Sequence, residues 1–204
     1  MTQFEIKDGV AIIPEGMTEI PFRAFINFED LTTVVIPDSV TCIVNAAFYG
    51  CSSLTEIVIP NSVTSIGASA FSHCSSLKNI VISNSVTSIG EGAFSRCYSL
   101  KNVVGPNGVT SIGDRAFCCA PGRRLVIRNI RKLVTENETT TVKNASSLTS
   151  VTLPESLTEL GKDVFHGCEK LETIYVPTKK ANFYREHLPE TLHDKIVEFE
   201  PEQK

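Results

Sequence analysis

Leu54-Thr55-Glu56-Ile57-Val58-Ile59-Pro60-Asn61-Ser62-Val63-Thr64-Ser65-Ile66-Gly67-Ala68-Ser69-Ala70-Phe71-Ser72-His73-Cys74-Ser75-Ser76 is followed at once by a second version of itself. Leu77-Lys78-Asn79-Ile80-Val81-Ile82-Ser83 opens that copy, which runs through Ser88-Ile89-Gly90 and Ala93-Phe94-Ser95-Arg96-Cys97 to Ser99. Self-similarity at a fixed period of roughly 20–50 residues marks a solenoid and outranks local propensity. The unit reads L-x-x-I-x-I-P-x-x-V-x-x-I-G-x-x-A-F-x-x-C-x-x, with copies starting at Leu31, Leu54, Leu77 and Leu100.

Working outward, the Phe column is Phe25, Phe48, Phe71, Phe94 and Phe117, and later Phe165. The Pro column is Pro14, Pro37, Pro60, Pro106, Pro154 and Pro177, with Ser83 standing in once. One period back from Leu31 lies a degenerate coil with Ile13-Pro14, Met17, Ile20 and Phe25 in register. Ahead of it, two apolar stretches flank Asp8-Gly9, a strong two-residue hairpin signal. Residues 1–30 are therefore expected to form a capping hairpin and a degenerate first coil, and 31–122 four regular repeats. Residues 123–147 lose the pattern and are expected to form a degenerate coil with a bulging loop, in which Leu125-Val126-Ile127 is still a strand. A regular repeat returns at 148–170. Residues 171–204 then read as a half coil and a cap, with a short helix from Ala181 to Leu188 stopped by Pro189 and a last strand at Lys195 to Phe199.

Within one unit, Leu and the two Ile at positions 1, 4 and 6 face inward, and positions 3 and 5 face out, as the two-residue period of a strand requires. Pro has no N–H to give and ends the strand. V-x-x-I-G is a second, shorter extended piece, and Ala-Phe is expected to form a helical or 3₁₀ turn that drops Phe inside. A single coil cannot bury its own apolar edge, so the coils must stack, their strands pairing as a parallel sheet at about 4.8 Å per coil. The expected fold is thus a mainly β repeat solenoid in a single unit spanning 1–204.

These columns together resemble the BspA-type, or Treponema-type, leucine-rich repeat, over Val10 to about Phe199. The resemblance implies a right-handed curved solenoid used for protein binding. Members are common on the surfaces of gut and oral bacteria and of some parasitic protists. It brings no shared catalytic residues.

Composition narrows the function classes. A net charge of −4 and an isoelectric point near 5.6 argue against a nucleic-acid partner. No apolar run approaches the ~18 residues of a membrane span. The N-terminal residues lack a basic stretch followed by an apolar one, so a cytoplasmic location is the default expectation. A surface or secreted location needs a removed signal or a non-classical export route. Seven cysteines cannot all pair within the chain. Cys51, Cys74, Cys97 and Cys168 share position 21, one per coil, a spacing that suits buried thiols reaching a neighbouring backbone group and not a metal site. Cys42 lies off that register, and of Cys118 and Cys119 one is the displaced ladder residue and the other the best candidate for a reactive thiol. The histidines, His73, His166, His187 and His193, occupy unrelated repeat positions. No catalytic set, metal site or cofactor site is nominated, and the chain is expected not to be an enzyme.

The candidate binding residues are those of the outward strand face. Position 5 carries Val35, Val58, Val81, Val104, Thr152 and Tyr175, and position 3 beside it carries Glu56, Asn79 and Asn102. An exposed apolar stripe often marks a docking surface. The competing reading is that Val simply suits a parallel strand and is copied with the unit. The expected function is a non-enzymatic protein–protein interaction module. The alternative is a surface-displayed or secreted adhesin. The partner is a protein, with neither nucleic acid nor membrane insertion involved.

Overall fold

The computed structural model describes residues 4–100, 102–105, 108–118, 124–127, 150–169 and 171–200, with the backbone alone described at 102–105 and 124–127. It is a parallel-strand β-solenoid of about seven turns. The strands are β1 (Ile6–Lys7), β2 (Val10–Ile12), β3 (Glu19–Ile20), β4 (Thr33–Val35), β5 (Cys42–Ile43) and β6 (Glu56–Val58). There follow β7 (Ser65–Ile66), β8 (Asn79–Val81), β9 (Ser88–Ile89), β10 (Asn102–Gly105), β11 (Ser111–Ile112) and β12 (Arg124–Ile127). The last are β13 (Ser150–Thr152), β14 (Glu159–Leu160), β15 (Thr173–Pro177) and β16 (Ile196–Phe199), with an α-helix, α1 (Ala181–His187), between β15 and β16, flanked by 3₁₀ turns at Thr178–Lys180 and Glu190–Lys195.

Each coil has three sides. The L-x-x-I-x-I pieces form the first side, as a three-stranded set β1-β2-β4 and a seven-stranded set β6-β8-β10-β12-β13-β15-β16. The two sets meet where the Thr55 amide donates to the Thr32 carbonyl at 3.3 Å. The V-x-x-I-G pieces form the second side, a six-stranded sheet β3-β5-β7-β9-β11-β14. Thr41, Thr64, Thr87, Thr110 and Thr158 line its margin, each donating both its amide and its hydroxyl to the carbonyl of the Thr one coil earlier.

The third side, where Ala-Phe lies, is built of turns and forms no continuous helix among the described residues. It is a run of turns in which amides alternate between two jobs. Ala47, Tyr49 and Cys51 donate to the carbonyl three residues back, while Ala46, Phe48 and Gly50 donate to Ala68, Ala70 and Ser72 of the next coil. That alternation forces two left-handed residues per turn. At the first such site stand Arg23, Ala46, Ser69, Gly92, Arg115 and Asp163, with φ between +55° and +59°. Phe25, Phe48, Phe71, Phe94 and Phe117 point inward and stack with ring centroids 5.1–5.4 Å apart. The Gly at the corner before this side is fixed by close approach. A Cβ on Gly90 would lie 2.5 Å from the Ala68 nitrogen and 2.6 Å from the Gly67 carbonyl carbon.

At the beginning of the described chain, β1 pairs antiparallel with β2 across Asp8-Gly9, both left-handed at φ +51° and +77°. Phe4 lies on Phe25 at 4.6 Å and extends the ring stack. Toward the other end, Tyr184 of α1 is fully buried and its hydroxyl donates to the Pro154 carbonyl at 2.6 Å.

The segment between the regular repeats departs from a full coil. β12 inserts between β10 and β13 on the first side, but on the second side β11 pairs directly with β14. The third side also closes across the gap, Phe117 N–H donating to Val164 O at 3.2 Å. The segment lacks V-x-x-I-G and Ala-Phe elements in its sequence, and among the described residues it supplies one strand, β12, to the first side. Its residues 128–149, including Val134, lie outside the described residues.

Candidate functional site

The parallel register turns position 5 into a row of two paired runs, one in each set of strands. Ile12 pairs with Val35; Val58 pairs with Val81, Val81 with Val104, Val104 with Val126, Val126 with Thr152, Thr152 with Tyr175 and Tyr175 with Val197. On β2, β4, β6, β8, β13 and β15 the residue before it, Ala11, Val34, Ile57, Ile80, Val151 or Ile174, is buried, so the row points away from the core there. Val35, Val58, Val81 and Tyr175 are 50, 66, 44 and 39% exposed. These are large exposures for apolar side chains within a sheet.

Thr152 corrects the expectation. It holds the same register but is only 6% exposed. Register fixes the direction of a side chain, whereas exposure depends on the height of its neighbours. Thr152 is short and stands beside the larger Tyr175, so it is not part of the accessible stripe. Glu56 and Asn79 are exposed on the same face at position 3. Asn102 and Val104 lie in β10 in the expected register, with their side chains outside the described residues.

Two members of the row were not anticipated, Ile12 at 62% and Val197 at 45% exposure. Ile12 had a usable signal, since Ile13-Pro14 places it at position 5 of the degenerate first coil. Val197 had none, because β16 follows a helix and stands outside the 23-residue period.

The thiols lie inside. Cys51, Cys74 and Cys97 donate from Sγ to the carbonyls of Phe25, Phe48 and Phe71 at 3.0–3.1 Å, and Cys168 to Phe117 at 3.6 Å. Burial pushes the Cys51 and Cys97 thiols up to about 12. Burial, and then the neighbouring thiols Cys97 and Cys51, also push the Cys74 thiol well above its usual range. They stay protonated and act as structural donors. Cys118 is buried, Cys42 is half-buried and accepts from the Ser65 hydroxyl at 3.2 Å, and Cys119 lies outside the described residues.

The histidines are not brought together for shared chemistry. His187 Nδ1 lies 2.8 Å from the Phe183 carbonyl and His193 Nε2 3.0 Å from that of Leu188. His73 packs on Tyr49 at 5.1 Å, and burial, aided by Arg96, pushes its pKa down. An open cleft of about 280 Å³ lies between the turn at Gly161–Glu169 and the segment His187–Lys195, away from the outward row. Among the described residues no cluster of three or more His, Cys, Asp or Glu side chains could hold a metal ion. Among them, too, no helix is long and apolar enough to cross a membrane.

Comparison with known proteins agrees with this geometry. The family model described as the BspA-type leucine-rich repeat region matches residues 9–122 and 83–190, in six copies. No curated protein sequence matches. Among solved structures, a T. pallidum leucine-rich repeat protein is 28% identical with a TM-score of 0.58, the match covering 79% of this chain and 77% of that one. A leucine-rich cell surface protein from Faecalibacterium prausnitzii A2-165 is also 28% identical, with a TM-score of 0.54 and 84% of this chain covered. The chain spans about half of that protein, 48% of its length.

Proposed function

The chain belongs to the BspA-type leucine-rich repeat family, and on that premise we propose that it is a non-enzymatic interaction module that presents the outward face of its first side to a protein partner. One observation carries this reading: a register-fixed row in which Ile12, Val35, Val58, Val81, Tyr175 and Val197 are each 39% exposed or more. A protein surface that keeps aligned apolar side chains in water gains from covering them, at about 25 cal/mol per Å² buried. Glu56 and Asn79, and by register Asn102, are proposed as the polar rim that sets orientation. The double variant Val58→Lys, Val81→Lys tests the proposal by pull-down from native lysate. Loss of the partner retained by the wild type, with an unchanged melting temperature, is the expected result. Undiminished capture at unchanged melting would sink it.

A second reading is display at a cell surface. Its support is the likeness to the Faecalibacterium protein, itself described as a cell surface protein. The default cytoplasmic location has no support from that likeness and is not carried forward. Protease treatment of intact cells checks the point: degradation of the product without lysis is expected, and full protection until lysis would overturn it.

A further inference from the structure

We propose that the occupant of this face is a basic amphipathic α-helix lying across β2, β4, β6 and β8, along the stack of coils. The proposal rests on the face reading above and adds the chemistry of the partner. Spacing is the first argument. The row offers one apolar side chain per coil, from Ile12 through Val35 and Val58 to Val81, and the Phe rings of the third side show the same coils repeating every 5.1–5.4 Å in the interior. Strands in a sheet lie about 4.8 Å apart. A helix repeats every ~5.4 Å along its axis, and residues three or four apart on one face are ~5–6 Å apart. Over three steps such a helix drifts from the row by about 1–2 Å. An extended peptide presents same-face side chains every ~6.7 Å and drifts by about 5 Å over the same distance. A row one residue wide also matches the narrow apolar stripe of an amphipathic helix.

Charge is the second argument and is independent of the first. Residues 1–60 carry eight acidic side chains, Glu5, Asp8, Glu15, Glu19, Glu29, Asp30, Asp38 and Glu56, against Lys7 and Arg23, a net of −6 in a chain of net −4. Three of these lie close to the row along the chain: Glu56 on β6, two residues before Val58, and Glu15 and Asp38, each three residues beyond Ile12 on β2 and Val35 on β4. All three are exposed, and among the described residues none has an ion-pair partner. Lys78 stands beside β8, where this acidic set ends. A helix whose apolar stripe is flanked by Lys or Arg would meet both features together.

The test uses the full chain and a fluorescently labelled 18-residue synthetic helix with Leu at i, i+4, i+7 and i+11 and Lys flanking them. Two control peptides replace every Lys by Glu, or place two prolines mid-sequence to break the helix at unchanged charge. Anisotropy should show the Lys helix binding at least tenfold tighter than either control. The variant Glu15→Gln, Asp38→Asn, Glu56→Gln should weaken it about fivefold and flatten its salt dependence. The variant Val35→Ser, Val58→Ser should weaken it about tenfold, with melting unchanged for both. Equal binding of the Glu peptide or the proline-broken peptide, or no binding of any peptide, overturns the helix assignment and leaves the face reading standing. Lys-helix binding that ignores Val35→Ser, Val58→Ser overturns the face reading itself.

Discussion

Between Phe25 and Cys118 the contacts from coil to coil are copies of one another, whereas from Ser150 onward the copies persist on the second side, at Thr158 and Gly161, and individual contacts join them elsewhere. In the first region Phe25, Phe48, Phe71 and Phe94 each donate an amide hydrogen to the next coil at 2.8 Å, and the Cys-to-Phe bonds stay within 3.0–3.1 Å. Across the junction the equivalent bonds lengthen to 3.2 Å at Phe117 and 3.6 Å at Cys168. There, non-repeated contacts are added: Arg115 pairs with Asp163 at 3.4 Å, and the Tyr184 hydroxyl reaches Pro154. The cause is geometric. β12 adds one strand spacing, ~4.8 Å, to the first side only, so the coils on either side of it fan apart there and stay adjacent on the other two. A repeat can reuse one solution as long as all three sides advance together. Where they do not, some contacts stretch or are made anew while others, as at Thr158, keep the repeated form.

The sharpest way to break the comparison is to disturb the repeated part where it is tightest. Gly90→Ala puts a methyl group 2.5 Å from the Ala68 nitrogen, against backbone that cannot swing aside. The expected cost is on the order of 3 kcal/mol or more, read as a fall in Tm of roughly 10 °C. A fall under ~2 °C would mean that coils shift freely against each other, and the contrast between rigid copies and an adapted junction would be lost.

The junction is probed by Tyr184→Phe, which leaves the buried Pro154 carbonyl without its donor. About 1–2 kcal/mol should be lost. Because coils touch only their neighbours, the loss should be local. Hydrogen exchange should quicken in β14, β15 and β16 while β5, β7 and β9 keep their protection. Uniform quickening along the chain would show that the two regions unfold as one unit and would remove the basis for treating them separately.

How much of this was legible follows the same division. The inward columns, the two kinds of strand, the thiol-to-backbone bonds and the outward valines all repeat as residue types, so spacing alone revealed them. The Thr ladder repeated just as plainly and was overlooked. The left-handed site on the third side could not be read. Arg23, Ala46, Ser69, Gly92, Arg115 and Asp163 share no chemistry, and their conformation is imposed by hydrogen bonds to the next coil and not by the residue. The one-sided insertion of β12 was also hidden, because Leu125-Val126-Ile127 resembles any strand and pairing across a gap of 48 residues leaves no local mark. For the candidate face, sequence gave direction but not height, which is why Thr152 was included and Val197 was missed.

The smallest expected effect sharpens the comparison from within the regular part, at the place where one coil departs from the Pro column. Ser83 occupies the Pro column, and its hydroxyl is buried without a hydrogen-bond partner among the described residues. In the coil before it, Pro60 fills the same place and accepts from the Val63 amide at 3.2 Å, as Ser83 does from Val86 at 3.3 Å. The backbone therefore runs the same way with either residue. Ser83→Pro removes an unsatisfied buried group and stiffens the unfolded chain, two effects that act in one direction. The expected gain is about 1 kcal/mol, or a rise in Tm of ~2–4 °C. Its sign is the informative part. A rise means that neighbouring coils are interchangeable down to a single column, as copied contacts require. A fall would mean that the Leu77 coil has settled into a backbone of its own, and individuality would then begin well before the junction.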